Sequence, residues 1–417
     1  MTRHFWVLIH RYAGLYIAFF LIVAGFTGSI LAFSPELNSW LNPPAKIALQ
    51  DKPRLDEFTL HEKALALSPH SLINQLNFNR KPDEAYSAYL ESRIDPVTGK
   101  PYELAFDTVI LDPYTGDQIS LENRMITEIW PITRKNFIPF IVRLHYKLAL
   151  PGSIGVWLFG IAALVWTIDC FVSVYLTFPL RISTSRIDVH NSNSRGFWSR
   201  WKKSWLIKWS GSAFRINFDL HRAGGLWVWL MLLILAWSSV GFNLNEQVYA
   251  PVMKTLFNMT DPMAIVPKLD TPIPEPTLSW QDAQRIGRKV IAQQATLNRF
   301  SVLKEEAVQY SADYGAFFYI MHTDRDLNAE IASTWLVLDG STGKYLGINL
   351  PTGQNFGNTL NGWLFALHMA LIWGLPYKIF LAFVGLVVVM LSITGIYIWL
   401  KKRQSRQFSN IRKSGLT

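Results

Sequence analysis

Four long apolar runs divide this 417-residue chain, and two long polar regions lie between them. A bilayer-spanning helix needs about 20 residues, and every run reaches that length. The second and fourth runs are longer than one span requires, so we expect them to tilt or to project beyond the membrane. The first run is too long for the apolar core of a signal peptide, so we expect an anchor. The pattern predicts transmembrane helices at 1–33, 140–178, 218–244 and 360–400 and polar lobes at 34–139 and 245–359.

Each polar region carries the pattern of a β-hairpin. The segments Asp107–Ile119, DTVILDPYTGDQI, and Thr334–Gly347, TWLVLDGSTGKYLG, place Asp-x-x-Thr-Gly between two β-rich runs. Such a turn between apolar runs is typical of a hairpin. An amphipathic helix with a serine cap is predicted at Ser279–Gln294, and TLHEKALALS from Thr59 is a weaker counterpart in the first region. We therefore expect an all-α membrane core with two α+β lobes.

The two halves of the chain resemble each other. HRYAG from His10 matches HRAGG from His221, and LHYKLALPG from Leu144 matches LHMALIWGLP from Leu367. The offsets are 211 and 223 residues, and the two hairpin patterns are about 226 residues apart. The sequence thus predicts two copies of a span–lobe–span unit, which gives four transmembrane helices in two pseudo-repeats.

Basic residues concentrate in two segments beside the apolar runs. The loop 179–217 has eight basic residues and one acid, and the tail 401–417 has six basic residues and no acid. Such a bias marks the cytoplasmic side of a membrane protein. Both termini are then cytoplasmic, and both lobes lie on the other side. We expect no nucleic-acid partner, because the charge flanks the spans.

The chain has one cysteine, Cys170. An intramolecular disulfide is therefore impossible, and so is a cluster of several thiolates around a metal. Histidine is the other residue type whose placement bears on metal chemistry.

Four of the nine histidines fall within the apolar runs themselves, near 7–33, 140–176, 218–244 and 360–400, with one in each run. His10 and His221 lie near the cytoplasmic starts of the first and third spans, and His145 and His368 lie near the outer starts of the second and fourth. Each is roughly 5–10 Å inside its end at about 1.5 Å per residue. Topology thus predicts an inner pair and an outer pair. Two imidazoles from facing helices can hold a haem iron from both sides.

Glycines and basic residues accompany these histidines. Gly14 and Gly225 follow His10 and His221 by one helical turn on the same face, so no side chain there would obstruct a flat macrocycle. Basic side chains nearby could pair with haem propionates or could equally extend to lipid headgroups. These side chains are Arg11, Arg222, Arg143 and Lys147.

Three other roles for the histidines are open at this point. A single intramembrane histidine is often only an interhelical hydrogen-bonding group. A proton relay normally includes carboxylates, and Asp169 is the only clear one within a predicted span. Zinc is disfavoured, because structural zinc takes four ligands and only two histidines meet at each level.

The combined arrangement resembles the PepSY-associated transmembrane family over nearly the whole chain. The resemblance rests on His-Arg-x-x-Gly at His10, DLHRAGGLW at Asp219–Trp227, the two Leu-His stretches and the two hairpins. The fourth span departs from the first and third, because Ile372 rather than glycine stands four residues after His368.

This resemblance implies two haem b groups ligated by the four histidines, and PepSY-like lobes in the periplasm. Members characterised as bacterial inner-membrane ferric-siderophore reductases bind two b-type haems, so the resemblance also implies an oxidoreductase that releases Fe(II). Hard oxygen ligands favour Fe(III), and reduction to the softer Fe(II) loosens such a chelate. Other relatives carry a fused flavodoxin-reductase-like module, and none is visible in this sequence. We therefore expect a separate cytoplasmic partner or a membrane quinol as the electron donor.

Two alternative functions stay open. The chain could be a regulator whose lobes restrain a periplasmic protease, or a haem subunit that delivers electrons to another periplasmic reductase. The segment Gly196–Gly211, GFWSRWKKSWLIKWSG, could dock an electron donor or anchor the chain to anionic membrane lipid.

Overall fold

The chain folds into two units. The computed structural model describes residues 2–78, 81–124, 129–180, 196–328 and 331–413. Residues 181–195 of the predicted basic loop lie outside the described residues. We call the two units the helical unit, Met1–Ser34, Phe137–Val252 and Leu367–Thr417, and the lobe unit, Pro35–Asn136 and Met253–Ala366.

Helices dominate the first unit, and strands are confined to the second. The helices are α1 (Arg3–Leu31), α2 (Ser34–Leu41), α3 (Glu57–Ala66), α4 (Phe137–Lys147), α5 (Ile154–Thr177), α6 (Phe197–Trp201), α7 (Ala213–Trp227), α8 (Trp229–Asn243), α9 (Ala250–Leu256), α10 (Trp280–Asn298), α11 (Phe356–His368) and α12 (Gly374–Lys413). The strands are β1 (Ser71–Leu72), β2 (Gln75–Asn77), β3 (Tyr86–Tyr89), β4 (Glu91–Ser92), β5 (Thr108–Leu111), β6 (Gln118–Glu122), β7 (Val302–Ser311), β8 (Ala316–Thr323), β9 (Thr334–Asp339) and β10 (Tyr345–Asn349).

Three helices are long and apolar enough to cross a membrane: α1, α5 and the Gly374–Phe408 part of α12. Helices α7 and α8 meet the same criteria together, although the chain bends by 71° between them. The described residues therefore hold three candidate spans, or four if the bent pair is one span. The expected core of apolar membrane helices is confirmed at this level, and its division into four spans and two repeats stays a prediction.

The second and fourth apolar runs each form two helices instead of one. Helix α4 ends at Lys147 and α5 begins at Ile154, while α11 ends at His368 and α12 begins at Gly374. The extra length, which we expected to appear as tilt or projection, is a short helix followed by a break. Left-handed backbone at non-glycine residues, which costs roughly 1–2 kcal/mol per residue, marks both breaks: Leu148, Ala149, Ala370 and Trp373.

Helices α1 and α12 cross at very short range. A Cβ atom added at Gly25 would lie 2.6 Å from the carbonyl oxygen of Gly385, so no larger residue fits at this crossing. The Ser29 hydroxyl lies 2.9 Å from the carbonyl oxygen of Ala382 on α12. Small residues allow such close approach between membrane helices, whose association depends on van der Waals packing and interhelical hydrogen bonds. This contact holds the first and last long helices together.

The main sheet of the lobe unit draws on both polar regions. Its five antiparallel strands run in the order β10-β9-β8-β7-β2. Strand β2 of the first region pairs with β7 of the second, with Leu76 opposite Val308. Helix α10 covers this sheet over a core of buried apolar residues that includes Ala283, Ile291, Tyr319 and Leu336. The two regions expected to form two lobes therefore share one sheet.

A second, three-stranded sheet in the order β3-β5-β6 belongs to the first polar region alone. Helix α3 packs on it through Leu60 and Ala64. Both predicted hairpins are confirmed, because β5 pairs with β6 and β9 pairs with β10 in antiparallel register. The serine cap of α10 is confirmed as well, since the Ser279 hydroxyl accepts from the backbone N–H of Asp282 at 3.1 Å.

Candidate functional site

The inner pair of histidines joins α1 to α7. The rings of His10 and His221 face each other with centroids 6.0 Å apart and planes tilted by 54°. His10 Nδ1 lies 2.9 and 3.0 Å from the two carboxylate oxygens of Asp169 on α5. His221 Nδ1 lies 3.0 Å from the carbonyl oxygen of Leu391 and 3.1 Å from the hydroxyl of Thr394, both on α12. Four helices thus contribute to this pair.

The outer pair joins the C-terminal ends of the two short helices α4 and α11. The rings of His145 and His368 have centroids 6.3 Å apart, and their planes are nearly perpendicular at 80°. His145 Nδ1 lies 2.9 Å from the hydroxyl of Thr27 on α1, and His368 Nδ1 lies 2.6 Å from the hydroxyl of Ser238 on α8. The structure therefore brings together the same two pairs that the topology of the sequence predicts.

The hydrogen-bond partners determine which ring nitrogen carries the proton. Thr27 and Ser238 each donate their hydroxyl proton to the carbonyl four residues earlier in their own helix, at 2.6 Å. Each hydroxyl oxygen must then accept from the imidazole, so Nδ1 of His145 and His368 is the N–H donor. The Leu391 carbonyl can only accept, so the same tautomer follows for His221.

Nε2 is consequently the lone-pair nitrogen in these rings. Within the described part of the chain, Nε2 has no hydrogen-bond partner in any of the four histidines. Metal-ligating histidines have this arrangement, with one nitrogen donating to a carboxylate, carbonyl or hydroxyl and the other directed at the metal. The hydrogen bonds of the four side chains are therefore compatible with a role as metal ligands.

The separations within the pairs fit a single ion between two imidazoles. A metal–imidazole bond is about 2 Å long and the ring centroid lies about 1 Å further, so two rings on opposite sides of one ion have centroids about 6 Å apart. The observed separations are 6.0 and 6.3 Å. The centroid separations of both pairs are therefore compatible with one metal held between two imidazoles.

A cavity of about 440 Å³ opens beside the inner pair. This volume falls within the range of roughly 300–1,000 Å³ that is usual for ligand and cofactor pockets. His10 and His221 line the cavity together with Gly14 and Gly225, and most of the other walls are apolar. A Cβ atom at Gly14 would meet no atom within 4 Å, so the space predicted over this glycine is present.

Basic side chains stand at the same cavity, although not in the expected set. Arg11 and Arg222 both line it as predicted, but Arg222 is ion-paired at 2.8 Å with the buried Asp219. Lys402, which we did not predict, lines it too. Among the described residues of this lining, Arg3, Arg11 and Lys402 form no ion pair with an acid. Arg3 donates to the backbone carbonyls of Leu176 and Phe178, so Arg11 and Lys402 are the cations that remain for an anionic group. Arg143 lies on α4 and is not among the residues lining this cavity.

Several residues around the histidines escaped the sequence analysis. Thr27 and Ser238 are 211 residues apart, the same offset as His10 and His221, and this spacing was the available signal. Gly28 and Gly395 also matter, because a Cβ atom there would lie 3.1 Å from His145 Cε1 and 3.2 Å from His221 Cε1, respectively. Thr394 had no signal in the sequence, since its role depends on how α12 is rotated toward α7.

Backbone strain concentrates at the outer pair. Five non-glycine residues of the described chain have left-handed φ, and four of them lie within five residues of His145 or His368. Strained backbone of this kind clusters at functional sites, where the surrounding structure holds it in place. The two breaks let a histidine terminate a short helix and face its counterpart before the long helix begins.

These features define a class: a multi-pass membrane protein with facing histidine pairs among apolar helices and with α+β structure in its polar regions. Residues 7–402 match the family model described as PepSY-associated TM region, and the chain belongs to this family. The family resemblance seen in the sequence is thereby confirmed. A comparison with curated proteins finds no match. Membership indicates a membrane protein associated with PepSY domains, and the ligand of the histidines has to be argued from their geometry.

Proposed function

We propose that the chain is a di-haem b electron-transfer protein of the bacterial inner membrane that reduces ferric siderophores. The observation that carries this proposal is the pairing of four imidazoles. Each has Nδ1 hydrogen-bonded, and the ring centroids within the pairs are 6.0 and 6.3 Å apart. An isolated interhelical hydrogen bond would explain Nδ1 but not the repeated approach of two imidazole rings to about 6 Å.

A bare metal ion fits the pairs less well than haem iron does. In the described residues, no group of three or more His, Cys, Asp and Glu side chains could hold a metal. Structural zinc takes four protein ligands, whereas each pair offers two nitrogens. Haem iron needs only axial ligands from the protein, and its reduction potential is set by those ligands and their hydrogen bonds. When bound, two such groups would supply one-electron carriers at an inner and an outer level.

The residues of the inner cavity suit a flat, dianionic group. His10 and His221 would provide the axial nitrogens, and Gly14 and Gly225 leave the space beside them open. Arg11 and Lys402 would meet the propionates. The apolar walls exclude water and keep the low dielectric that strengthens these charge interactions. At the outer pair, His145 and His368 would provide the ligands, with Thr27 and Ser238 holding the rings.

Orientation follows from the charge bias. The basic segments 179–217 and 401–417 favour the cytoplasmic side, which puts the lobe regions in the periplasm. Along α1, His10 and Thr27 are 17 residues apart, so the two pairs lie about 25 Å apart at about 1.5 Å per residue. Electrons would enter at His10 and His221 and leave at His145 and His368. One electron converts one Fe(III) chelate to Fe(II), so a quinol donor that gives two electrons and two protons would serve two chelates.

The first experiment is spectroscopic. The full chain, purified after expression with ample haem, should show the sharp bands of low-spin bis-histidine haem b after reduction. A pyridine haemochrome assay should give two haems per chain. His10→Ala or His221→Ala should disturb one haem, and His145→Ala or His368→Ala the other. His70→Ala, in the lobe unit, is the matched control and should leave both unchanged.

The second experiment tests the acceptor. Reduced protein in oriented vesicles is mixed with a membrane-impermeant ferric chelate, and haem reoxidation is expected to be fast only where the lobe regions face the chelate. Two haems without iron reduction would favour the electron-delivery subunit. Protein that binds no haem would refute the central claim and favour the protease regulator.

A further inference from the structure

The four histidines differ in one respect that bears on electron flow. His10 alone has a carboxylate as the partner of Nδ1, namely Asp169 at 2.9 and 3.0 Å. His145 and His368 have neutral hydroxyls, and His221 has a carbonyl and a hydroxyl. The inner pair therefore has one negatively charged partner, and the outer pair has none among the described residues.

Asp169 lies in an environment where its charge acts strongly. It is buried, with 6% of its surface exposed, on a helix that is apolar enough to span the membrane. No Lys or Arg nitrogen of the described chain lies within 4 Å of its carboxylate. A carboxylate that is largely buried and has no Lys or Arg partner interacts with a nearby centre more strongly than a surface charge does.

A carboxylate on the outer nitrogen of an axial imidazole raises the basicity of the ligating nitrogen. A more basic ligand and a nearby negative charge both stabilise Fe(III) relative to Fe(II), and second-shell hydrogen bonds are a recognised means of setting the reduction potential of haem. A neutral hydroxyl or carbonyl on the same nitrogen raises the basicity of the ligating nitrogen less. Haem groups held by these two pairs would therefore have unequal reduction potentials.

We propose that Asp169 is a positioning residue that acts through His10 to hold the reduction potential of the inner haem below that of the outer haem. Electron transfer from the cytoplasmic level to the outer level is then downhill. This inference rests on the proposed function, because it needs haem at both pairs. It goes beyond that function by assigning the direction of transfer to one side chain.

The test is a potentiometric titration of the haem-loaded full chain, followed by absorbance at one fixed pH. Wild type should give two waves, and the wave that remains in His368→Ala belongs to the inner haem. Asp169→Asn keeps an acceptor for Nδ1 but removes the charge. It should raise the inner wave by at least about 59 mV, which is a tenfold change in the ratio of ferric to ferrous haem at a given potential.

Two further variants separate tuning of the potential from structural support of His10. Asp169→Glu keeps the carboxylate and should restore a value near that of wild type. Thr394→Val removes a neutral partner of His221 and should shift the inner wave much less than Asp169→Asn. An unshifted outer wave in each variant shows that the helices still assemble.

The outcomes distinguish failure of the proposed function from failure of the role of Asp169. Wild type without haem would overturn the proposed function itself. Wild type with two haems and an Asp169→Asn variant with an unmoved inner wave would overturn only the role of Asp169. Loss of the inner haem from both the Asn and the Glu variants would mean that Asp169 merely holds His10 in place, and it would overturn the tuning role too.

Discussion

We predict that His61 makes the lobe unit less stable in mild acid. It lies on α3 of the first polar region with 7% of its surface exposed, and its ring centroid is 5.4 Å from that of Trp280 on α10 of the second region. Its buried Nδ1 has no hydrogen-bond partner in the described residues. Burial lowers the pKa of His61 from 6.5 to about 4, because the charged imidazolium would lose its hydration there.

The sign and size of the effect follow from linkage. The folded pKa lies below the unfolded one, so the unfolded lobe binds a proton first as the pH falls below 6.5. Stability is full above pH 6.5 and is lost progressively down to about pH 4. A pH of 5 lies about 1.5 units below the pKa of His61 in the unfolded chain and still above its pKa in the folded chain. At about 1.36 kcal/mol per pH unit, His61 then lowers the free energy of unfolding of the lobe unit by about 2 kcal/mol relative to pH 7.

The assay compares wild type with His61→Phe, which keeps an aromatic ring against Trp280 and removes the titratable nitrogen. Hydrogen exchange of the α3 amides in the full chain, corrected for the intrinsic exchange rate at each pH, reports the opening free energy. Between pH 7 and pH 5 that free energy should fall by about 2 kcal/mol more in wild type than in the variant. Other titrating groups contribute equally to both proteins and cancel in the difference. Equal pH dependence of the two proteins would refute the reasoning.

Four other predictions concern the helical unit. Ferric protein should give two different low-spin EPR signals, because the axial imidazole planes are tilted by 54° at one pair and 80° at the other; a single signal for two haems would contradict this. Ser238→Ala should weaken haem binding at the outer pair by roughly 10–100-fold in a haem titration while sparing the inner pair, as second-shell partners of metal ligands usually do. Gly25→Ala should destabilise the detergent-solubilised protein by about 1–3 kcal/mol through the clash with α12, whereas Gly14→Ala, which meets open space, should not. Replacing the exposed Lys202 and Lys203 by Gln should reduce the anionic phospholipid retained in native mass spectrometry, with Lys289→Gln as the control.

Much of the architecture is legible in local patterns. Apolar runs longer than about 20 residues predict membrane helices without reference to any partner. The Asp-x-x-Thr-Gly turns predict both hairpins, and Ser279 predicts the start of α10, because turns and caps depend on residues a few positions apart. The placement of His10, His221, His145 and His368 in the order of the runs was enough to predict which histidines would meet.

Contacts between distant segments depended on the tertiary structure. The partners of the histidine Nδ1 atoms lie 118 to 173 residues away along the chain. Which hydroxyl, carbonyl or carboxylate reaches each ring depends on the rotation and crossing of packed helices, and hydropathy carries no information about either. The joining of β2 to β7 is likewise a long-range pairing that no local pattern encodes. Sequence alone therefore determined the presence of apolar membrane helices and the pairing of the histidines. Helix packing decided the tautomer of the histidines, the breaks that follow His145 and His368, and the single carboxylate at His10, because each depends on distances between segments that only folding brings together.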